Sequence, residues 1–250
     1  MTQRRALPAE PAWLAVAAIF ALNGALFGVW ASRVPAIKDR FGLDPAELGL
    51  VLLALAGGAI VAFPVAGLAT DRIGAARLTR LIAWVYAPAL VLVGLAPSVF
   101  LLVAALLVFG AVFGALDVAM NGWGAEVETR LDRPVMSGLH AMFSLGAGLG
   151  AASGYVASAV GLAPAIHFAG VAAPLAAAAL WLSAIPWTRP EREPVSGTPI
   201  LAWPRGALLL VGVIAFAVSL GEGALADWGA VFMVTVAGTN EATAALGYAV

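Results

Sequence analysis

The chain has 250 residues, 62% hydrophobic and 11% charged, with a mean hydropathy of +0.99 and a formal net charge of −1. Soluble domains are roughly 45–50% apolar and about 25% charged, so this composition excludes a water-soluble globule. A near-neutral charge without a basic patch argues against a nucleic-acid partner, and the lack of cysteine excludes disulfides, thiolate metal sites and cysteine nucleophiles.

A membrane helix needs about 20 mostly apolar residues. Seven stretches qualify: 12–32, 47–70, 79–97, 99–121, 136–160, 163–186 and 206–226. The first follows Arg4 and Arg5. It is too long for a signal-peptide core and lacks a small-residue cleavage site, so it is expected to remain as a helix. Between the second and third spans lies GLATDRIGAARLTR (67–80), which gathers scarce charges. The third and fourth spans are joined by APS (96–98), the fifth and sixth by GLAP (161–164); both predict tight, uncharged hairpins. After the sixth comes WTRPEREPVSGTPILAWP (187–204), rich in proline and charge, which predicts a linker between domains. The expected organisation is a six-helix unit over 1–186, a cytoplasmic linker over 187–205, and the start of a second helical unit over 206–250. An eighth apolar run begins at Glu241 and reaches only Val250, so the chain is expected to be a C-terminally truncated piece of a longer protein.

Basic residues in short loops stay in the cytoplasm. With the N-terminus inside, the inner set is Arg4, Arg5, Arg72, Arg77, Arg80, Arg130, Arg133, Arg189, Arg192 and Arg205, against Arg33, Lys38 and Arg40 outside. A bacterial cytoplasmic membrane and a cytoplasmic N-terminus are therefore expected. The 67–80 stretch falls inside, and its spacing adds to its charge. Gly67, Asp71 and Gly74 stand as G-x-x-x-D-R-x-G, with Arg72 and then Arg77. Gly67 would let two helices approach, Gly74 permits a tight turn, and Asp71 would accept from backbone N–H groups at a positive helix end.

This stretch, placed after the second of six spans, resembles the signature loop of the major facilitator superfamily of transporters. The two positions after Gly74, often basic in that family, are Ala75 and Ala76 here. The resemblance implies an all-α polytopic membrane fold of twelve helices in two six-helix halves, of which one half, a seventh helix and the start of an eighth are present. It implies that the loop locks the halves together on the cytoplasmic side in one conformational state. It also implies a protein that acts as a monomer when complete.

Small residues four apart let membrane helices pack closely. Gly24 and Gly28 do so on the first span, Gly110 and Gly114 on the fourth, and Gly146, Gly150 and Gly154 on the fifth. The fifth-span stripe resembles a glycine-rich motif of exporters in the superfamily, without that motif's proline.

Ionisable groups in hydrocarbon cost about 2.5–3.5 kcal/mol on insertion scales and usually face a cavity or a partner. Asp117 and Asn121 lie four apart in GALDVAMNGWGAEVE and so share a face. Low dielectric favours the protonated form of a carboxyl, which a proton carrier needs. The D-x-A-x-N segment resembles the proton-coupled fucose-permease branch, whose first helix carries a second acid; here that helix offers only Asn23, Ser32 and Arg33. The alternative is that Asp117 sits wet near a helix end. His140 and Ser144, again four apart, are candidates for a relay or substrate contact, or for interface packing. Arg33, after Trp30, would gate an anionic substrate or snorkel to the headgroups, and His167 is assigned to structure. Glu222 and Asp227, with Gly221 and Gly223 beside Glu222, predict an unwound turn lining a cavity, or an ordinary helix end. This segment, and NGALFGVWASRVP from Asn23, resemble a poorly characterised bacterial branch near the fucose permeases.

The function expected is secondary active transport of a small solute, possibly sugar-like, by alternating access with proton coupling. Efflux of drugs or metabolites is the runner-up. A serine protease is disfavoured, because Ser153 lies in AASG and His167 is poorly placed to serve it; no H-E-x-x-H motif supports a zinc site, and no cofactor or metal is expected. An inactive fragment or non-transporting scaffold is the reading from another class. The partners expected are the bilayer, a small-molecule substrate and protons.

Overall fold

The computed structural model describes residues 9–188 and 204–249. They form nine helices and no strand: α1 (Ala9–Ala31), α2 (Val34–Phe41), α3 (Pro45–Ile73), α4 (Ala75–Leu95), α5 (Val99–Leu131), α6 (Met136–Ala159), α7 (Pro164–Ser183), α8 (Ala207–Thr235) and α9 (Glu241–Ala249). This is an all-α polytopic membrane protein. Six helical segments, counting α1 and α2 as one, are long and apolar enough to cross a bilayer. The exception among the seven stretches is α6, long enough but thinned in hydropathy by five glycines, four serines and His140.

Local sequence sets the helix ends. Gly42 stops α2 in the left-handed region (φ 62°); its N–H donates to the Asp39 carbonyl at 3.2 Å, and the next N–H, of Leu43, donates to the Lys38 carbonyl at 3.0 Å. A full capping box starts α3: the Asp44 carboxylate accepts from Glu47 N–H at 2.8 Å, and Glu47 accepts from Asp44 N–H at 2.9 Å. Ser98 caps α5, and Asp132 ends it with φ 50°. The 96–98 and 161–164 hairpins are as tight as their sequences predict.

The 67–80 stretch is not a loop. α3 runs through Ile73 and α4 starts at Ala75, so only Gly74 breaks the helix, at φ 88°. The third span therefore begins four residues earlier than hydropathy alone places it, because Arg77 and Arg80 sit on helix. Likewise α5 extends to Leu131 and α8 to Thr235, past the apolar windows that end at 121 and 226. The linker assigned to 187–205 and the basic residues Arg4, Arg5, Arg189 and Arg192 lie wholly or largely outside the described residues.

Helices pair through glycine seams. α1 lies along α6, α3 along α5, α4 along α5 and α7, and α7 returns to α1. A Cβ at Gly24 or Gly28 would strike the carbonyls of Phe143 and Ala147, and one at Gly146 or Gly150 those of Ala21 and Ala25. On the other side, Gly110 abuts the Leu55 carbonyl, Gly114 abuts Ala59, and Gly58 abuts the Leu107 carbonyl. Lipid gives no hydrophobic drive between helices, so backbone contact of this kind carries the association. Gly67 is different: a Cβ there would meet nothing within 4 Å, so it makes no close approach. Between the seams, Trp30, Tyr86 and Phe109 fill the core; the Tyr86 and Phe109 rings stack at 5.5 Å, and Trp30 lies 6.4 Å from Phe109.

Candidate functional site

α5 carries a polar face at mid-helix. Asp117 stands well inside the 33-residue helix, not at its end. Asn121, one turn on, donates from Nδ2 to the Asp117 carbonyl at 2.9 Å and to its carboxylate at 3.2 Å. One turn back, Phe113 stacks on Phe27 of α1 at 5.0 Å. The face thus runs aromatic, acid, amide. All three side chains are half-buried, so they line space rather than fill core.

His140, in the second turn of α6, completes the group. Its ring meets Phe20 edge-on at 5.3 Å and lies within electrostatic reach of Asp117. Ser144 donates back to the His140 carbonyl at 3.2 Å and stays exposed. Behind this face lies Asn23 of α1, fully buried, with neither amide atom hydrogen-bonded. A buried amide without partners is costly. The neighbouring Tyr86 hydroxyl donates to the Asn23 backbone carbonyl at 3.3 Å, and Tyr86 also lies within electrostatic reach of Asp117. Asp117, Asn121 and His140 are therefore brought together, with Asn23 and Tyr86 beneath them. Sequence reasoning missed Tyr86, Phe27 and Phe113. Phe113 was findable, because it stands four residues before Asp117 on the same helix face. Tyr86 was not, because only the packing of α4 against α1 and α5 brings it there.

The other candidates lie elsewhere. Arg33 neither snorkels nor points into this face. Its side chain is 4% exposed, and it donates to Ser158 Oγ at 2.8 Å and to the Leu162 carbonyl at 2.7 Å, tying α1 to the end of α6. Glu222 is exposed on an unbroken helix, and a Cβ at Gly221 or Gly223 would meet nothing within 4 Å, so the expected unwound turn is absent. Its signal, two glycines around an acid, is equally compatible with regular helix when no element crowds it. Asp227 is half-buried one residue before Trp228, whose ring faces Gly49 of α3. His167 does reach Ser153, at 2.9 Å, contrary to the expectation from sequence. The 161–164 hairpin brings the two side chains within reach, although α7 packs mainly on α4 and α1.

At the opposite end of the bundle from α2, Asp71, Arg72 and Arg77 are exposed around Gly74. Asp71 lies in the last turn of α3, three residues before Gly74, which stands at the N-cap of α4. A different cluster dominates this end. Arg80 lies over the Trp123 ring at 5.0 Å and donates to the Ile185 carbonyl at 2.8 Å. Trp123 meets Trp187 edge-on at 6.2 Å, and Arg130 covers Trp187 at 4.1 Å. Trp187 donates to the Glu126 carboxylate at 2.8 Å, and Arg130 donates to the Thr188 carbonyl at 2.6 Å. This ladder fastens residues 185–188 beneath α4 and α5. Its sequence signal is diffuse, because its five side chains span more than a hundred positions.

The family profile of the Major Facilitator Superfamily matches residues 13–250. The chain is 44% identical over 236 residues to an uncharacterized transporter, y4wD, of Sinorhizobium fredii, covering 94% of this chain and 63% of the relative. It is 36% identical over 233 residues to an uncharacterized MFS-type transporter of Yersinia pestis (92% and 60% covered). It is 28% identical over 242 residues to the membrane protein MosC of Rhizobium meliloti (94% and 57% covered). The chain thus spans about three fifths of the length of these relatives.

Proposed function

Because the chain belongs to the major facilitator superfamily, we propose that the complete protein is a proton-coupled secondary transporter that moves a small polar solute, sugar-like in chemistry, by alternating access. The observation that carries this reading is the polar face of α5. An acid in mid-span and the amide bonded to it are half-buried beside stacked aromatic rings, with an exposed histidine from α6 within electrostatic reach. Stacked rings offer apolar faces and the polar groups offer donors and acceptors, a combination suited to a hydroxylated solute. Asp117 is the group to take up and release the proton, with His140 and Asn121 setting its surroundings. The six helices α1–α7, without the short α2, form one half; α8 begins the other, and the solute sits between the halves near the midplane. The positive-inside distribution supports a cytoplasmic N-terminus in a bacterial inner membrane, and the end bearing Gly74 then faces the cytoplasm. There Gly67, Asp71, Arg72, Gly74 and Arg77 form the gating segment, which acts when the second half closes upon it.

The test is Asp117→Asn in the complete protein. Uphill accumulation driven by an inward proton gradient is lost, while counterflow exchange of the solute persists. Unchanged gradient-driven uptake removes Asp117 from the coupling step.

A further inference from the structure

α6 leans on α1 along a seam of small residues, with Gly146 and Gly150 against the Ala21 and Ala25 carbonyls. Such a seam sets how close two helices lie more firmly than it sets their register, because a slip of one turn again brings glycine to carbonyl. His140 depends on that register. Its ring is exposed and meets the edge of Phe20, so the α6 backbone decides where it stands relative to Asp117 on α5.

The start of α6 is tied to α5. Val135 stands at the N-cap with φ −125° and ψ −13°, and its side chain offers no acceptor to the open N–H groups of the first turn. Glu128, in the last turn of α5, supplies one. Its Oε2 accepts from Val135 N–H at 2.8 Å and from Met136 N–H at 3.0 Å. A carboxylate also suits the positive end of α6. Beside it, the first turn of α6 seats on Gly124 of α5, where a Cβ would lie 3.0 Å from both Met136 Sδ and Leu139 Cδ1. Leu139 is fully buried, and His140 is the next residue. One turn of helix therefore separates the amides that Glu128 holds from the imidazole that reaches Asp117.

We propose that Glu128 is a positioning residue: by holding Val135 and Met136 it fixes the register of α6 against α5 and so keeps His140 beside Asp117. This role rests on the proton-coupled reading given above. The titratable groups within electrostatic reach of Asp117 are His140 from α6 and Tyr86 from α4. On its other sides, α1 brings Asn23 and Phe27, and α3 brings Ala59 and Phe63 against Gly114. His140 is the group among these whose helix end Glu128 holds, so Glu128 acts on Asp117 through it.

The test uses the complete protein in lipid nanodiscs and needs no solute. Protonation of Asp117 is followed by the infrared absorption of a protonated carboxyl, identified by its loss in Asp117→Asn. Glu128→Ala is expected to move the midpoint of that titration by about 0.5 pH unit or more, roughly a threefold change in proton affinity. Glu128→Gln, which keeps an acceptor oxygen, is expected to leave it in place. In a His140→Gln background, Glu128→Ala is expected to move the midpoint no further. Hydrogen exchange at residues 135–139 is expected to quicken about fivefold to tenfold in Glu128→Ala and to stay unchanged in Glu128→Gln. Faster exchange with an unmoved midpoint overturns the positioning role and leaves a helix cap. Unchanged exchange overturns the tie itself. An equal shift with and without His140 also overturns the positioning role, because the effect then reaches Asp117 by another route. If Glu128→Ala does not reach the membrane, Glu128→Asp, one methylene shorter, takes its place in every comparison. If Asp117→Asn removes no titrating carboxyl, the proton-coupled reading is refuted, and hydrogen exchange still decides whether Glu128 holds the start of α6.

Discussion

The α1–α6 seam makes the sharpest prediction. In Gly24→Ala the new Cβ falls on the Phe143 carbonyl oxygen, with the Phe143 carbonyl carbon at 2.8 Å and Ala147 N at 3.0 Å. All three neighbours are backbone, so no rotamer change relieves the overlap. The helices must part by on the order of 1 Å, and the same parting loosens Gly28, Gly146 and Gly150, whose contacts lie on the same seam. Overpacking of this kind costs about 1–3 kcal/mol, and the seam-wide loss of dispersion contacts places Gly24→Ala at the upper end. Gly67→Ala is the matched control. It changes the same atoms in a helix with nothing within 4 Å, so it is stabilising, by roughly 0.5–1 kcal/mol, through the reduced backbone entropy of the unfolded chain. The two substitutions therefore have opposite signs. Thermal unfolding in detergent, followed by the fluorescence of the eight tryptophans, would show Gly24→Ala lowered by several degrees, at about 2–4 °C per kcal/mol for a chain of this size. A melting point within a degree of the unsubstituted protein, or an equal drop in Gly67→Ala, would refute close packing as the basis of the seam.

Three further outcomes are expected. Trp187→Ala removes the donor to Glu126 and the ring under Arg130; limited proteolysis should then cut near residues 185–188 faster, about tenfold if the clasp holds by about 1.4 kcal/mol, while an unchanged rate would mean the ladder restrains nothing. Gly74→Ala forces a side chain into φ 88° and should cost about 1–2 kcal/mol, measured by the same melt; no loss would mean the α3–α4 break does not require the left-handed region. Asp44→Ala removes the capping box of α3 and should cost about 1 kcal/mol, whereas Asp39→Ala, in a residue bound only to its neighbour Lys38 at 3.6 Å, should cost next to nothing.

Composition and apolar run length alone were enough to settle that this chain crosses a membrane several times, because hydrocarbon admits only closed hydrogen-bonded helices of a set length. A local signal marked one helix end too: Gly74 stands where a positive φ is needed. The i, i+4 spacing put Asp117 and Asn121 on one face, and the glycine repeats of α1, α5 and α6 lie on the seams where those helices touch. Spacing along one helix is fixed by the chain itself, so such pairs need no knowledge of the fold. What lies across helices did need it. Arg33 binds α6 rather than a cavity, Tyr86 comes from α4 to stand under Asp117, and Trp123 and Trp187 meet although 64 positions apart. Gly67 and Gly24 are indistinguishable as letters, and Glu222 looked like a cavity residue; only the neighbours brought by tertiary packing decide which glycine touches a backbone and which acid faces another helix. In a bilayer, where no hydrophobic force sorts one helix face from another, that choice is made by steric fit between specific surfaces, and fit is a property of pairs.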